Sequence, residues 1–214
     1  MIRANESSRL YLITPPRFVP NKFLERLKSV LDAGPITCLQ IRLKNADDDS
    51  IKRTIEILIP LCHKYSVPVI LNDRPDLAKL AGCDGVHVGQ NDMPYVQARK
   101  IMGPDAIIGV TCKSSRHLAI EAADKGADYV AFGAFFATKT KQATTPATLD
   151  ILNWWNEIST VPSVAIGGIS TRNYRSVIEA GADYFAVVDG VWNYIHGEAN
   201  AVKAFNKLVA VQKD

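Results

Sequence analysis

Lys125-Gly126-Ala127-Asp128-Tyr129-Val130-Ala131-Phe132 and Ala180-Gly181-Ala182-Asp183-Tyr184-Phe185-Ala186-Val187 repeat one pattern. A glycine, a small residue and an aspartate separate a helical stretch from an apolar run. Ala81-Gly82-Cys83-Asp84 before Gly85-Val86-His87-Val88 is a third copy, and Asp32-Ala33-Gly34-Pro35 is a looser one. The glycine suits the left-handed position just past a helix end, and the strand starts within a few residues. The unit is therefore a helix, a tight joint and a strand buried on both faces.

Working outward, the same alternation covers the chain. Apolar runs that read as parallel strands lie at Leu10 to Ile13, Cys38 to Ile41, Val67 to Leu71, Gly85 to Val88, Ile107 to Val110, Tyr129 to Phe132, Ser163 to Ile166 and Tyr184 to Val188. Helical spacing fills the gaps. It is clearest in Phe23, Leu24, Leu27, Val30 and Leu31, and again in Ile51, Ile55, Leu58 and Leu61. Asp48 or Asp49, Ser114 and Thr171 read as helix caps. Eight such units in 214 residues predict a single (β/α)8 barrel spanning residues 1–214. A doubly wound open sheet is the alternative. Against it, no G-x-G-x-x-G follows the first strand, and polar residues follow several different strands, as around one barrel rim.

Composition narrows the function classes. The apolar share of 47% and charged share of 22% are those of a globular chain. A net charge of +3 is too mild to argue for nucleic acid. No apolar run approaches the roughly 20 residues of a membrane span, and the first residues carry no apolar signal segment. Cys38, Cys62, Cys83 and Cys112 lack metal-ligand spacing and read as free thiols of a cytoplasmic protein. Small-molecule ligands are expected, and a homo-oligomer is left open.

In a barrel, function sits where strands end. After the second strand, alternation turns Gln40, Arg42 and Lys44 one way and Ile41 and Leu43 the other. Two cations and an amide suit a polyanion. Asp73 and Asp92 follow the third and fourth strands, a carboxylate pair suited to Mg2+ and substrate phosphates. The plain alternative pairs Asp73 with Arg74 or Arg42 and makes Asp92 a helix cap. The long stretch Ala134 to Ala147 carries Thr138-Lys139-Thr140-Lys141, a candidate phosphate lid or a solvated loop. Gly167-Gly168 and Asp189-Gly190 follow strands 7 and 8, the usual phosphate site of barrels. His87, inside the fourth strand, is either a substrate contact or a core histidine. No Ser-His-Asp arrangement is present.

Leu39-Gln40-Ile41-Arg42-Leu43-Lys44, Asn72-Asp73-Arg74, Asp84-Gly85-Val86-His87-Val88-Gly89-Gln90-Asn91-Asp92, Thr138-Lys139-Thr140-Lys141 and Ala165-Ile166-Gly167-Gly168-Ile169 together resemble the thiamine-phosphate synthase family, in its order and spacing. The resemblance implies a transferase that joins hydroxymethylpyrimidine diphosphate to hydroxyethylthiazole phosphate, releasing pyrophosphate. It implies that Gln40, Ile41, Arg42, Leu43, Lys44 and Asn72 hold the pyrimidine diphosphate, and that Asp73 and Asp92 bind Mg2+. Thr111 falls where the family has a Ser or Thr near the pyrimidine. Thr138, Lys139 and Thr140 fall at the thiazole phosphate and Lys141 at the diphosphate. Gly168, Val188 and Asp189 match the thiazole-phosphate site. Arg42, Lys44, Lys141 and Thr111 are the expected catalytic groups. The chain departs from the family pattern at Asp189, usually Ser, at Ala134, often Pro, and at Lys113, often His. A tautomerase branch of the same superfamily is the rival reading; it lacks the two aspartates and carries a His at the position of Ala134. A non-catalytic phosphate-binding barrel is the rival of another class.

Overall fold

The computed structural model describes residues 9–138 and 146–210, with backbone only at 208–210. Eight parallel strands close into a barrel in chain order: β1 (Leu10–Ile13), β2 (Cys38–Ile41), β3 (Val69–Asn72), β4 (Gly85–Val88), β5 (Ile107–Lys113), β6 (Tyr129–Gly133), β7 (Ser163–Ile166) and β8 (Tyr184–Val187). β8 returns to β1 through the pairing of Tyr11 with Ala186, which closes the ring. The helices are α1 (Pro20–Ala33), α2 (Asp48–Lys64), α3 (Pro75–Leu80), α4 (Tyr95–Met102), α5 (Arg116–Asp124), α6 (Asp150–Ile158), α7 (Tyr174–Glu179), α8 (Asp189–Trp192) and α9 (Glu198–Ala210). The single (β/α)8 barrel expected from the sequence is the fold observed. The short α8 was not anticipated. Trp192 pins it by donating its indole N–H to Ile13 O at 2.7 Å, and Arg26 reaches both Trp192 O and Glu198.

Strand alternation divides the apolar residues into two cores. Leu10, Leu12, Leu39, Ile41, Val86 and Phe132 face the helices, while Tyr11, Ile13, Cys38, Ile70, Tyr129, Val164, Tyr184 and Ala186 fill the barrel interior. Several caps differ from the sequence reading. Asp47, not Asp48 or Asp49, caps α2 by accepting Ser50 N–H, because it is the last residue in extended conformation. Ser115 rather than Ser114 caps α5. Asn173 precedes α7 without a side-chain cap, so Thr171 does not cap it.

The repeated Gly-x-Asp joint has a role that its pattern did not disclose. Asp84 accepts Val69 N–H at 2.7 Å, Asp128 accepts Ile108 N–H at 2.8 Å and Asp183 accepts Ser163 N–H at 2.8 Å. Each aspartate thus satisfies a backbone donor at the start of the preceding strand and locks the floor of the barrel. Asp128 also pairs with Arg99, which in turn reaches Ala106 O and the Tyr95 hydroxyl. Asp128→Ala is expected to cost about 2–3 kcal/mol, since a largely buried charge-assisted donor pair loses its acceptor. That corresponds to a Tm drop of roughly 5–10 °C for a domain of this size. Asp183→Ala, which breaks no ion pair among the described residues, should cost less; thermal unfolding of the two variants checks the order.

Candidate active site

At the mouth, Thr14 sets the exit of β2. Its N–H donates to Gln40 O at 2.9 Å and its hydroxyl accepts Arg42 N–H at 3.0 Å. Gln40 is buried, Arg42 half-buried and Lys44 exposed, so the three lie at increasing exposure along the exit of β2. Burial pulls the Arg42 guanidinium below its ordinary value, while the carboxylates of Asp73 and Asp92 push the other way. The structure therefore brings Asp73 and Asp92 each within electrostatic reach of Arg42. Ile41 is fully buried on the helix side, so its side chain is turned away from the mouth.

Of the plain readings, the pairing of Asp73 with Arg74 and the helix cap at Asp92 are not what the structure displays, whereas the attraction between Asp73 and Arg42 is present. Arg74 forks onto Asp48, at 2.6 and 2.9 Å, and onto Asp76, at 2.7 and 3.0 Å. Its guanidinium is thus taken up by Asp48 and Asp76 rather than by Asp73. Asp92 does not cap α4, whose first turn follows Pro94. Instead its Oδ2 accepts Gly89 N–H at 2.8 Å, which closes the turn after β4. Asp73 has φ 67°, a left-handed conformation uncommon for a residue with a side chain, and its N–H donates to His87 O at 2.8 Å. Asp and Asn tolerate that region best among such residues. Two exposed carboxylates on adjacent strand tips are the hard oxygen donors Mg2+ takes, with substrate phosphates completing its shell. The donor set thus fits the ion.

Across the mouth, Asn72 ends β3, and His87 and Thr111 face each other with Nε2 and Oγ1 2.7 Å apart. The Gln90 amide donates to Thr111 O at 2.7 Å.

On the far side, the segment after β6 runs along β7. Phe135 N–H donates to Ile166 O and Phe136 N–H to Gly167 O. Gly167 and Gly168 have φ 102° and 65°, and a Cβ on them would lie 2.3 Å from Ala134 Cβ and 2.4 Å from Ala137 O. The glycine pair thus makes room for the chain's own 134–137 segment, a closer reason for it than ligand approach alone. Thr138 ends this segment; Lys139, Thr140 and Lys141 lie outside the described residues. Asp189 opens α8 and its Oδ1 accepts the Asn193 amide at 2.8 Å. Val188, just before it, is partly buried and packs against both the helix-side and the interior cores. Thr14 and Tyr129 escaped the sequence reading. The glycine within β5, Gly109, was the available signal for Tyr129, because a Cβ there would lie 1.9 Å from the Tyr129 ring.

A family model described as thiamine monophosphate synthase matches residues 10–191. A thiamine-phosphate synthase of Rhodospirillum centenum is 56% identical over 201 residues, covering 94% of this chain and 97% of that one. One from Hyphomonas neptunium is 46% identical, covering 94% and 93%. Among solved structures, a thiamine phosphate pyrophosphorylase from Pyrococcus furiosus superposes with a TM-score of 0.84 at 33% identity, covering 97% of each chain.

Proposed function

The chain belongs to the thiamine monophosphate synthase family, and from that premise we propose how its barrel mouth makes thiamine phosphate from the pyrimidine diphosphate and the thiazole phosphate. The observation that carries the reading is the half-buried Arg42 within electrostatic reach of Asp73 and Asp92, which follow neighbouring strands. Arg42, with Lys44 and Lys141, holds the diphosphate and takes up the charge that develops as it leaves. Asp73 and Asp92 would hold Mg2+, which would supply Lewis-acid stabilisation of the negative charge on the leaving group. The bond from the pyrimidine methylene carbon to the diphosphate oxygen breaks, and its electron pair departs with pyrophosphate. The methylene cation left behind is stabilised by the ring amino group. The thiazole nitrogen then donates its lone pair to form the new C–N bond. No step needs a protein nucleophile, and none of the cysteines offers one. Burial pushes the Cys62, Cys83 and Cys112 thiols up to about 12 and that of Cys38 well above its usual value. Free buried thiols suit a reducing compartment, and we place the enzyme in the cytoplasm. Among the described residues, no helix is long and apolar enough to cross a membrane.

Phosphorus NMR of the protein with both substrates and Mg2+ separates this reading from a barrel that only binds phosphates. Growth of a free pyrophosphate resonance is expected. Both substrates bound and unchanged would overturn it.

The thiazole phosphate falls to Gly168, Val188 and Asp189, with Thr138, Lys139 and Thr140. One unit of like charge at ~5 Å and an effective dielectric of ~20 costs about 3 kcal/mol. Solvent screening at an exposed carboxylate brings that to about 1 kcal/mol or less. Asp189→Ser should therefore lower KM for the thiazole phosphate by roughly 3- to 5-fold and leave that for the pyrimidine diphosphate unchanged. A raised thiazole-phosphate KM in steady-state kinetics would remove that phosphate from Asp189.

A further inference from the structure

Below the mouth, a line of polar groups runs through the barrel interior. Tyr11 Oη lies 2.8 Å from Tyr129 Oη, Tyr129 Oη lies 2.9 Å from His87 Nδ1, and His87 Nε2 lies 2.7 Å from Thr111 Oγ1. Tyr11, Tyr129 and His87 are 1%, 0% and 9% exposed. The line starts at the floor, where the Cys38 thiol sits beside the Tyr11 hydroxyl, and ends at Thr111 near the rim. It depends on Gly109, since any side chain there would occupy the place of the Tyr129 ring. Burial pushes both tyrosines well above their ordinary values, so they remain O–H donors.

A neutral imidazole has one donor and one acceptor nitrogen, so along these three contacts the hydrogens run in one of two senses. Running downward, Thr111 donates to Nε2, Nδ1–H to Tyr129, Tyr129 to Tyr11, and Tyr11 is left with sulfur, a weak acceptor. Running upward, Tyr11 donates to Tyr129, Tyr129 to Nδ1 and Nε2–H to Thr111 Oγ1. Each O–H and N–H along the line then meets oxygen or nitrogen, and none is spent on sulfur.

We propose that the buried Tyr11–Tyr129 pair fixes His87 as its Nε2–H tautomer and so turns the Thr111 hydroxyl into a hydrogen-bond donor aimed at the bound heterocycle. Tyr129 and Tyr11 are positioning residues, and the ligand feature they select is an acceptor ring nitrogen, which an aminopyrimidine carries. The selection rests on the reading above that the pyrimidine lies at Thr111; the tautomer does not.

Nitrogen-15 NMR of the ligand-free protein, labelled at histidine, reads the tautomer directly. His87 in the wild type should show a single protonated Nε2, and Tyr129→Phe should give a mixture of tautomers. The same variant should raise KM for the pyrimidine diphosphate roughly tenfold, the worth of one net hydrogen bond. Its KM for the thiazole phosphate should not move, and kcat should change by less than the pyrimidine KM. Tyr11→Phe, which leaves the Tyr129–His87 contact in place, should give the same mixture and a smaller KM rise; it carries the test if Tyr129→Phe does not fold. A wild-type His87 protonated at Nδ1, an unaltered tautomer in both variants, or equal changes in both Michaelis constants would overturn the proposal. A wild type that converts neither substrate would instead defeat the functional reading, and the tautomer result would still decide the relay.

Discussion

Arg42→Ala is expected to lower kcat by about 10²–10³-fold while the barrel stays folded. Losing one preorganised charge contact to a departing anion typically costs that much. The setting of Arg42 suits the proposed role: its backbone N–H is fixed by Thr14, its side chain is half-buried, and burial works against its charge. A group kept there at a desolvation cost stabilises a charge that appears only as the reaction proceeds. Lys44, exposed beyond the end of β2, should matter less, so Lys44→Ala is the internal comparison. Single-turnover rates with thermal unfolding alongside check both variants. Wild-type kcat in folded Arg42→Ala would remove Arg42 from the chemistry.

Removal of divalent metal should abolish turnover, and Asp73→Asn should lower it by roughly 10²-fold or more, as expected when several kcal/mol of charge stabilisation are lost. Asparagine is the informative substitution. Asp73 sits at φ 67°, which Asn tolerates and Ala does not. The variant therefore changes the charge and keeps the turn. Excess Mg2+ should restore part of the Asp73→Asn rate, because the weakened site fills by mass action. Turnover at the wild-type rate in excess chelator would contradict the metal assignment.

Most of the barrel was legible because its signals are local. The Gly-x-Asp joints and apolar runs mark helix ends and strand starts without tertiary information. Strand alternation likewise separated Gln40 and Arg42 from Ile41, and the two cores follow that division. What stayed hidden depends on contacts between distant positions. Asp84, Asp128 and Asp183 were visible as a pattern, but their backbone partners lie on the preceding strand. Tyr129 reads as a strand residue until Gly109 is found opposite its ring. Asp92 looked like a cap because an aspartate before a helix so often is one; a bond to Gly89 N–H three residues back took its place. The helix ends moved by one or two residues, since which Ser or Asp caps depends on the φ/ψ of a single residue.

The central claim, that this barrel joins the two heterocycles with metal-assisted loss of pyrophosphate, is tested most directly by mass. Dialysed protein is incubated with hydroxymethylpyrimidine diphosphate and hydroxyethylthiazole phosphate, with Mg2+ or with chelator. The account predicts the mass of thiamine phosphate in the Mg2+ sample and none with chelator. Folded protein that leaves both substrates intact in the presence of Mg2+ would contradict it.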